Sequence, residues 1–163
     1  MDIVADLIFG YPPESLTHLT ALEEYFEVKL PDLLKQIYAL GDEAHVGPLR
    51  TTSNPSLHFD FNAIRAAHSE WVGHSVIEGH KSIMKYRPDL AKLIPIGAPG
   101  NGDDVCLDYR NGSEPSVVML DHEILTKQQE PTHPLAESFE KLMAGWYKDD
   151  KSRVRRFLRV VDE

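Results

Sequence analysis

The first forty residues place apolar side chains at helical spacing. From Ser15 onward an apolar residue recurs every three or four positions, and polar or acidic residues occupy the other side. The apolar set of this first helix is Leu16, Leu19, Leu22 and Phe26. A second helix is predicted to begin at Pro31, because proline at the first helical position loses no hydrogen bond. Its apolar face is Leu33, Leu34, Ile37 and Tyr38. We expect Gly41 to cap its end.

The middle of the chain has shorter and more broken patterns. One or two strands are predicted over residues 46–61, since residues 57–61 alternate between apolar and polar with period two. Asn62 is then predicted to cap a helix. The apolar face of that helix would be Ile64, Ala67, His68, Trp71 and Val72. Further helical turns are predicted over residues 76–86, ending before Pro88 because the residue that precedes a proline disfavours helix.

The clearest β pattern spans residues 93–122. Three apolar runs, 93–98, 104–109 and 116–122, are separated by turns that contain Asn101-Gly102 and Asn111-Gly112. Asn-Gly adopts the positive φ angles of tight hairpin turns, so the three runs predict an antiparallel meander. One face of the middle strand would carry Val105, Leu107 and Tyr109.

The C-terminal region predicts two helices. Beyond Pro134 the apolar residues follow helical spacing, so we expect an amphipathic helix over residues 135–147 that packs on the sheet. Its apolar residues are Leu135, Phe139, Leu142, Met143 and Trp146. Residues 151–163 form a basic amphipathic tail, for which we expect a docked terminal helix. A partner-binding or membrane-surface helix is the alternative for this tail.

Composition indicates one acidic globular domain over residues 1–163. The hydrophobic content of 42% and the charged content of 26% are typical of globular chains and not of disordered ones. Seventeen basic and 26 acidic residues give a net charge of −9. The tail holds five basic and two acidic residues, so residues 1–150 carry 12 basic and 24 acidic residues, a net of −12. Such a body repels nucleic acid and attracts a cationic partner, although solubility alone would also explain it.

Other bulk features point to the cytoplasm. No apolar run approaches the ~20 residues that a membrane span requires. The opening residues 1–6 carry two acids and no basic residue, which differs from a secretory signal. Cys106 is the single cysteine, so it cannot form an internal disulfide, and we expect it to be a buried thiol.

The sequence lacks the usual spacings of catalytic and metal sites. His68, His74 and His80 are six residues apart, so on one helix they would point in three directions and could not bind zinc together. The glycine-rich loop 97–104 lacks the Lys-Ser/Thr of a phosphate-binding loop and the ordered ligands of a calcium loop. Asp121 and His122 would face opposite sides of a strand. We therefore expect no enzymatic activity, no metal and no cofactor.

Four segments in one order resemble the SUKH superfamily, which includes bacterial toxin-immunity proteins and fungal cell-wall-assembly regulators. They are Leu22-Glu23-Glu24 through Leu30-Pro31-Asp32, Leu93-Ile94-Pro95-Ile96 with Gly100 through Asp108, Val117 through Glu123, and Glu137 through Leu142. The resemblance extends from about Leu19 to Trp146. It implies an α+β fold, in which N-terminal, middle and C-terminal helices surround an antiparallel sheet, and a function exerted by binding.

The resemblance leads to three functional hypotheses. The first is an immunity protein that neutralises a cognate toxin by direct contact, and an acidic body would suit a basic nuclease toxin. The second is a regulatory scaffold of the fungal type. The third is a metal-dependent hydrolase, which would be favoured only if several of Asp103, Asp104, Asp108 and His122 converge with a bound metal in a cleft. For partner binding we select acidic residues on predicted polar faces and turns, namely Glu23, Glu24, Glu27, Asp42, Glu43, Asp103 and Asp104. The sequence does not define the oligomeric state.

Overall fold

The computed structural model describes residues 8–45, 49–50, 61–67, 75–99, 102–144 and 147–148. Within them the chain has the predicted α+β fold. Its helices are α1 (Leu16–Phe26), α2 (Asp32–Leu40), α3 (Val76–Tyr86) and α4 (Phe139–Ala144). Its strands are β1 (Ile8–Tyr11), β2 (Asp42–His45), β3 (Leu49–Arg50), β4 (Phe61–Ile64), β5 (Leu93–Pro99), β6 (Asp104–Asp108), β7 (Ser116–Leu120), β8 (Thr132–Ala136) and β9 (Tyr147–Lys148).

Seven of these strands form one antiparallel sheet in the order β1-β2-β4-β5-β6-β7-β8, while β3 pairs with β9. The predicted meander is confirmed as β5, β6 and β7. In its register Leu107 lies opposite Ile94 on one side and opposite Val117 on the other. Because β5, β6 and β7 each have a neighbouring strand on both sides, the strands that the sequence marked most clearly are interior strands of the sheet.

Strand β6 is buried on both faces of the sheet. Val105, Leu107 and Tyr109 join the larger core cluster, together with side chains of α1, α2 and α4, which confirms their predicted common face. Cys106 points the other way, into a smaller cluster with Ile83 of α3. Its thiol is fully buried, and burial raises its pKa well above the usual value. The predicted buried thiol is therefore confirmed.

The two N-terminal helices and α3 follow the predictions, with two local differences. Helix α2 begins at Asp32, so Pro31 is the residue before the helix rather than its first residue. Gly41 ends α2 with an extended backbone, at φ 174°, and not with a left-handed cap. A Cβ at Gly41 would overlap the ring of Phe9. Glycine is required there by the close approach of β1.

The helix predicted after Asn62 is wrong over residues 62–67, which are the part of it that the structure describes. Asn62 lies inside β4, and Ile64 of that strand pairs with Gly97 of β5. Ala66 then forms an isolated parallel bridge with Ser75. Strand pairing with a residue far along the chain outweighs the local helical pattern. His68, Trp71 and Val72 lie outside the described residues, as do residues 57–60 of the predicted strand.

The C-terminal helix is shorter than predicted. Leu135 belongs to β8, which pairs with β7, and α4 begins only at Phe139. Strand β8 is an edge strand, where Pro134 is tolerated because one side of the strand needs no ladder hydrogen bond. Phe139, Leu142 and Met143 are buried as predicted. Trp146 and the tail 151–163 lie outside the described residues.

Candidate partner-binding groove

A groove lies between the corner that joins α1 to α2 and the turn that joins β6 to β7. Its volume is about 1150 Å³. Glu24 and Glu27 lie on the helix side, and Glu114 lies on the turn side. A smaller groove of about 430 Å³ shares Lys29 and Glu114 with the first and extends toward α4. Together they form an elongated channel, which we call the acidic groove.

The helix side of the groove is shaped by Glu27 and Glu23. Glu27 has a left-handed backbone, at φ 54°, and its N–H donates to the carbonyl of Glu24 at 3.2 Å, which ends α1. The buried Glu23 carboxylate then accepts hydrogen bonds from the backbone N–H of Leu30 at 2.8 Å and from Lys29 Nζ at 3.1 Å. Burial raises the pKa of Glu23, but these hydrogen bonds and the charge of Lys35 outweigh it and hold the pKa below its usual value. Glu23 therefore stabilises the corner as a carboxylate.

Tyr109 fastens the two sides of the groove together. It follows β6, and its hydroxyl donates to the carbonyl of Lys29 at 2.6 Å. Burial raises the pKa of Tyr109, so the hydroxyl stays protonated and can donate. This hydrogen bond joins the α1–α2 corner to the sheet and fixes the width of the groove.

Three exposed carboxylates around the groove, those of Glu24, Glu27 and Glu114, have no ion-pair partner among the described residues. Of the two lysines in its lining, Lys29 pairs with Glu23, whereas Lys92 has no ion-pair partner in the described part of the chain. Most other exposed carboxylates are matched. The matched pairs are Asp32 with Lys35, Asp89 with Arg87, Glu130 with Arg110, and Glu137 with Lys141. The groove therefore gathers uncompensated negative charge.

Aromatic rings form one end of the groove. The ring of Tyr25 is edge-on to that of Phe26, with 4.9 Å between centroids, and Phe26 is edge-on to His80 at the same distance. Phe26 and His80 pack inward, while Tyr25 is 53% exposed. An exposed tyrosine next to carboxylates that have no ion-pair partner among the described residues is typical of a binding surface.

Two of the predicted acidic residues lie at β2, away from the groove. Asp42 is fully buried, and its Oδ1 accepts hydrogen bonds from the backbone N–H of Ala67 at 2.8 Å and of Glu43 at 2.9 Å. Glu43 is half-buried and has a left-handed backbone, at φ 51°. In this position Asp42 holds the segment after β4 against β2.

The last two predicted residues lie at the start of β6, and both are hydrogen-bonded. Asp104 pairs with Arg65 Nη2 at 2.6 Å, yet burial outweighs this pairing and raises the pKa of Asp104. Asp103 is buried, and its Oδ1 accepts from the backbone N–H of His122 and lies 2.7 Å from His122 Nδ1. This hydrogen bond raises the pKa of His122. The pair fastens the turn after β7 to the start of β6.

The prediction that Asp121 and His122 lie apart is wrong. Both follow the end of β7, where strand alternation no longer applies, and their ligand atoms and that of Asp103 lie within 4.8 Å of one another. Asp108 does not join them, because it lies at the far end of β6 and binds Arg110 at 2.8 Å. Asp104 is engaged by Arg65. Of the four residues that the hydrolase hypothesis names, Asp103 and His122 therefore lie together, beside Asp121, whereas Asp104 and Asp108 are engaged by arginines.

The acidic groove contains two residues that the sequence analysis did not select, Tyr25 and Glu114. Tyr25 follows Glu24 on α1 and lies off the apolar stripe, which is the one signal that could have marked it. Glu114 lies in the turn after Asn111-Gly112. Its approach to α1 depends on contacts between distant segments, and no local pattern encodes them.

The fold and the groove define a class of protein: an α+β domain with an acidic groove at the edge of its helices. The model of the SMI1 / KNR4 family (SUKH-1) matches residues 13–145, and the chain belongs to that family. Its members are generally non-catalytic immunity or regulatory domains. A comparison with curated proteins finds no match. In the part of the chain that the structure describes, no helix is long and apolar enough to cross a bilayer.

Proposed function

We propose that this chain is an immunity-type protein that binds a cognate bacterial toxin in the cytoplasm and blocks it by direct contact. The observation that carries the proposal is the acidic groove, in which Glu24, Glu27 and Glu114 have no internal partner among the described residues. Membership of the SUKH-1 family supports it, since that family fits immunity or regulatory domains.

Unmatched surface charge serves binding better than it serves folding. Exposed carboxylates contribute little to the stability of the fold. They create a field that attracts a cationic protein and speeds association. A basic nuclease toxin would have the complementary charge.

The seven acidic residues predicted for partner binding differ in how open they are to a partner. Glu24 and Glu27 are exposed on the groove and form the direct contact in this proposal. Glu23 supports them by holding the α1–α2 corner. Asp42, Glu43, Asp103 and Asp104 remain predicted contacts, and Asp42, Asp103 and Asp104 already hold internal hydrogen bonds.

Growth rescue tests the proposal. The chain is co-expressed with a candidate toxin, taken from a gene that neighbours its own, and growth and co-purification are measured. We expect restored growth and a stable complex. Rescue should be absent with a toxin of unrelated sequence, which serves as the control. If the chain neither binds the neighbouring toxin nor restores growth, the immunity function is wrong.

A further inference from the structure

We infer that the acidic groove receives an arginine-bearing segment of the partner, with one guanidinium over the ring of Tyr25 and neighbouring cations between Glu24, Glu27 and Glu114. The assignment of that partner as a toxin rests on the proposed function, whereas the chemistry of the groove does not. The occupant is therefore a basic protein segment and not a small anion or a nucleic acid.

The positions of the carboxylates support a cationic occupant. Glu24 and Glu27 lie on one side of the groove and Glu114 on the other, so a cation between them meets negative charge from two directions. Glu114 also lines the smaller groove, which contains the exposed Glu140 as well as Asp32, and Asp32 is paired there with Lys35. The acidic lining thus continues along the channel, which suits a segment of several residues better than a single ion.

A comparison of two exposed tyrosines points to arginine over the ring of Tyr25. Tyr86 is 51% exposed and already has Lys85 Nζ over its ring, 5.6 Å from the centroid. Tyr25 is equally open, at 53%, and no cation of the described residues lies over its ring. Its edge-on packing with Phe26 supports it from behind. Arginine stacks flat on such rings, and its planar fork donates two parallel hydrogen bonds to a carboxylate, a geometry that the lysine ammonium does not match.

The probe for this inference is a blocked hexapeptide of alternating arginine and alanine. Its binding to the full chain is followed by the backbone amide signals in two-dimensional NMR. We expect saturable shifts concentrated at residues 24–29 and 112–114. The same peptide with citrulline in place of arginine keeps the shape and loses the charge, so it should not bind.

Matched substitutions locate the contact. Glu114→Gln and Glu123→Gln each remove one exposed carboxylate. Glu114 precedes β7 and Glu123 follows it, and only Glu114 lines the groove. Tyr25→Leu and Tyr86→Leu likewise each remove one exposed ring, and only Tyr25 lines the groove. Each groove variant should raise the dissociation constant of the peptide about two- to fivefold, as expected for one exposed charge contact, and the two controls should leave it unchanged.

Shifts spread over the whole surface, or equal affinity for the wild type, Glu114→Gln and Tyr25→Leu, would overturn the inference. The same variants measured with the neighbouring toxin separate it from the proposed function. If neither Glu114→Gln nor Tyr25→Leu changes the affinity for the toxin, the groove is not the contact surface, but the immunity function is not contradicted. If the peptide binds as described but the toxin does not bind, the immunity function is refuted and the inference about the groove is not.

Discussion

At the scale of single residues, neighbouring carboxylates on α1 have different roles. Glu23 is buried and holds the backbone N–H of Leu30, whereas Glu24 is exposed on the groove. The helical period placed both on a polar face, and it could not separate them. The difference arises because the chain reverses after Glu27 and returns Leu30 to the side of Glu23, which is a tertiary effect.

Replacement of Glu23 by glutamine should make the protein less stable near pH 7. The loss should be about 1–3 kcal/mol, since buried hydrogen bonds to a charged group disappear. The pKa of Glu23 is lowered in the folded protein from its usual 4.5. Its stabilisation is therefore present above that value and is lost as the pH falls through the lowered folded pKa.

Urea denaturation at a series of pH values measures this effect. The gap between wild type and Glu23→Gln should narrow as the pH is lowered below 4.5. Glu24→Gln is the control and should unfold like the wild type throughout. A gap that stays constant down to the most acidic pH would show that Glu23 does not act through its charge.

At the scale of elements, local patterns succeeded where local contacts decide the structure. Helices α1, α2 and α3 and the meander β5–β7 agree with their patterns, since each is stabilised by near neighbours or by short turns. The failures are β4 and β8. Ile64 and Leu135 fit a helical spacing as well as a strand, and pairing with β5 and β7 decides the outcome.

Phe139→Ala should destabilise the domain by about 3–5 kcal/mol, as large-to-small substitutions of buried phenylalanine do. Phe139 is fully buried in the larger core cluster at the start of α4. Chemical denaturation measures the change, and Glu140→Ala, on the exposed side of the same helix, is the control. An unchanged denaturation midpoint in Phe139→Ala would contradict the burial of this residue and the packing of α4 against the core.

At the scale of the whole molecule, the sequence predicts the fold class and the acidic character, but not the groove. The hydrogen bond that fixes the width of the groove joins Tyr109 to Lys29, 80 positions apart. Net charge alone could not show which carboxylates are matched internally. The charge of −12 over residues 1–150 indicated a cationic partner, and the acidic groove is the place where we propose that this partner binds.

The dependence of toxin association on salt tests the central claim most directly. The association rate constant is measured with the neighbouring toxin from about 0.05 M to about 0.5 M NaCl. Over this range the Debye screening length shortens from above ~10 Å to below ~8 Å. The rate should fall steeply with salt. The double variant Glu24→Lys with Glu27→Lys should associate more slowly at low salt, with an unchanged melting temperature. A rate that salt does not change, and that the double variant retains, would contradict recognition through the acidic groove.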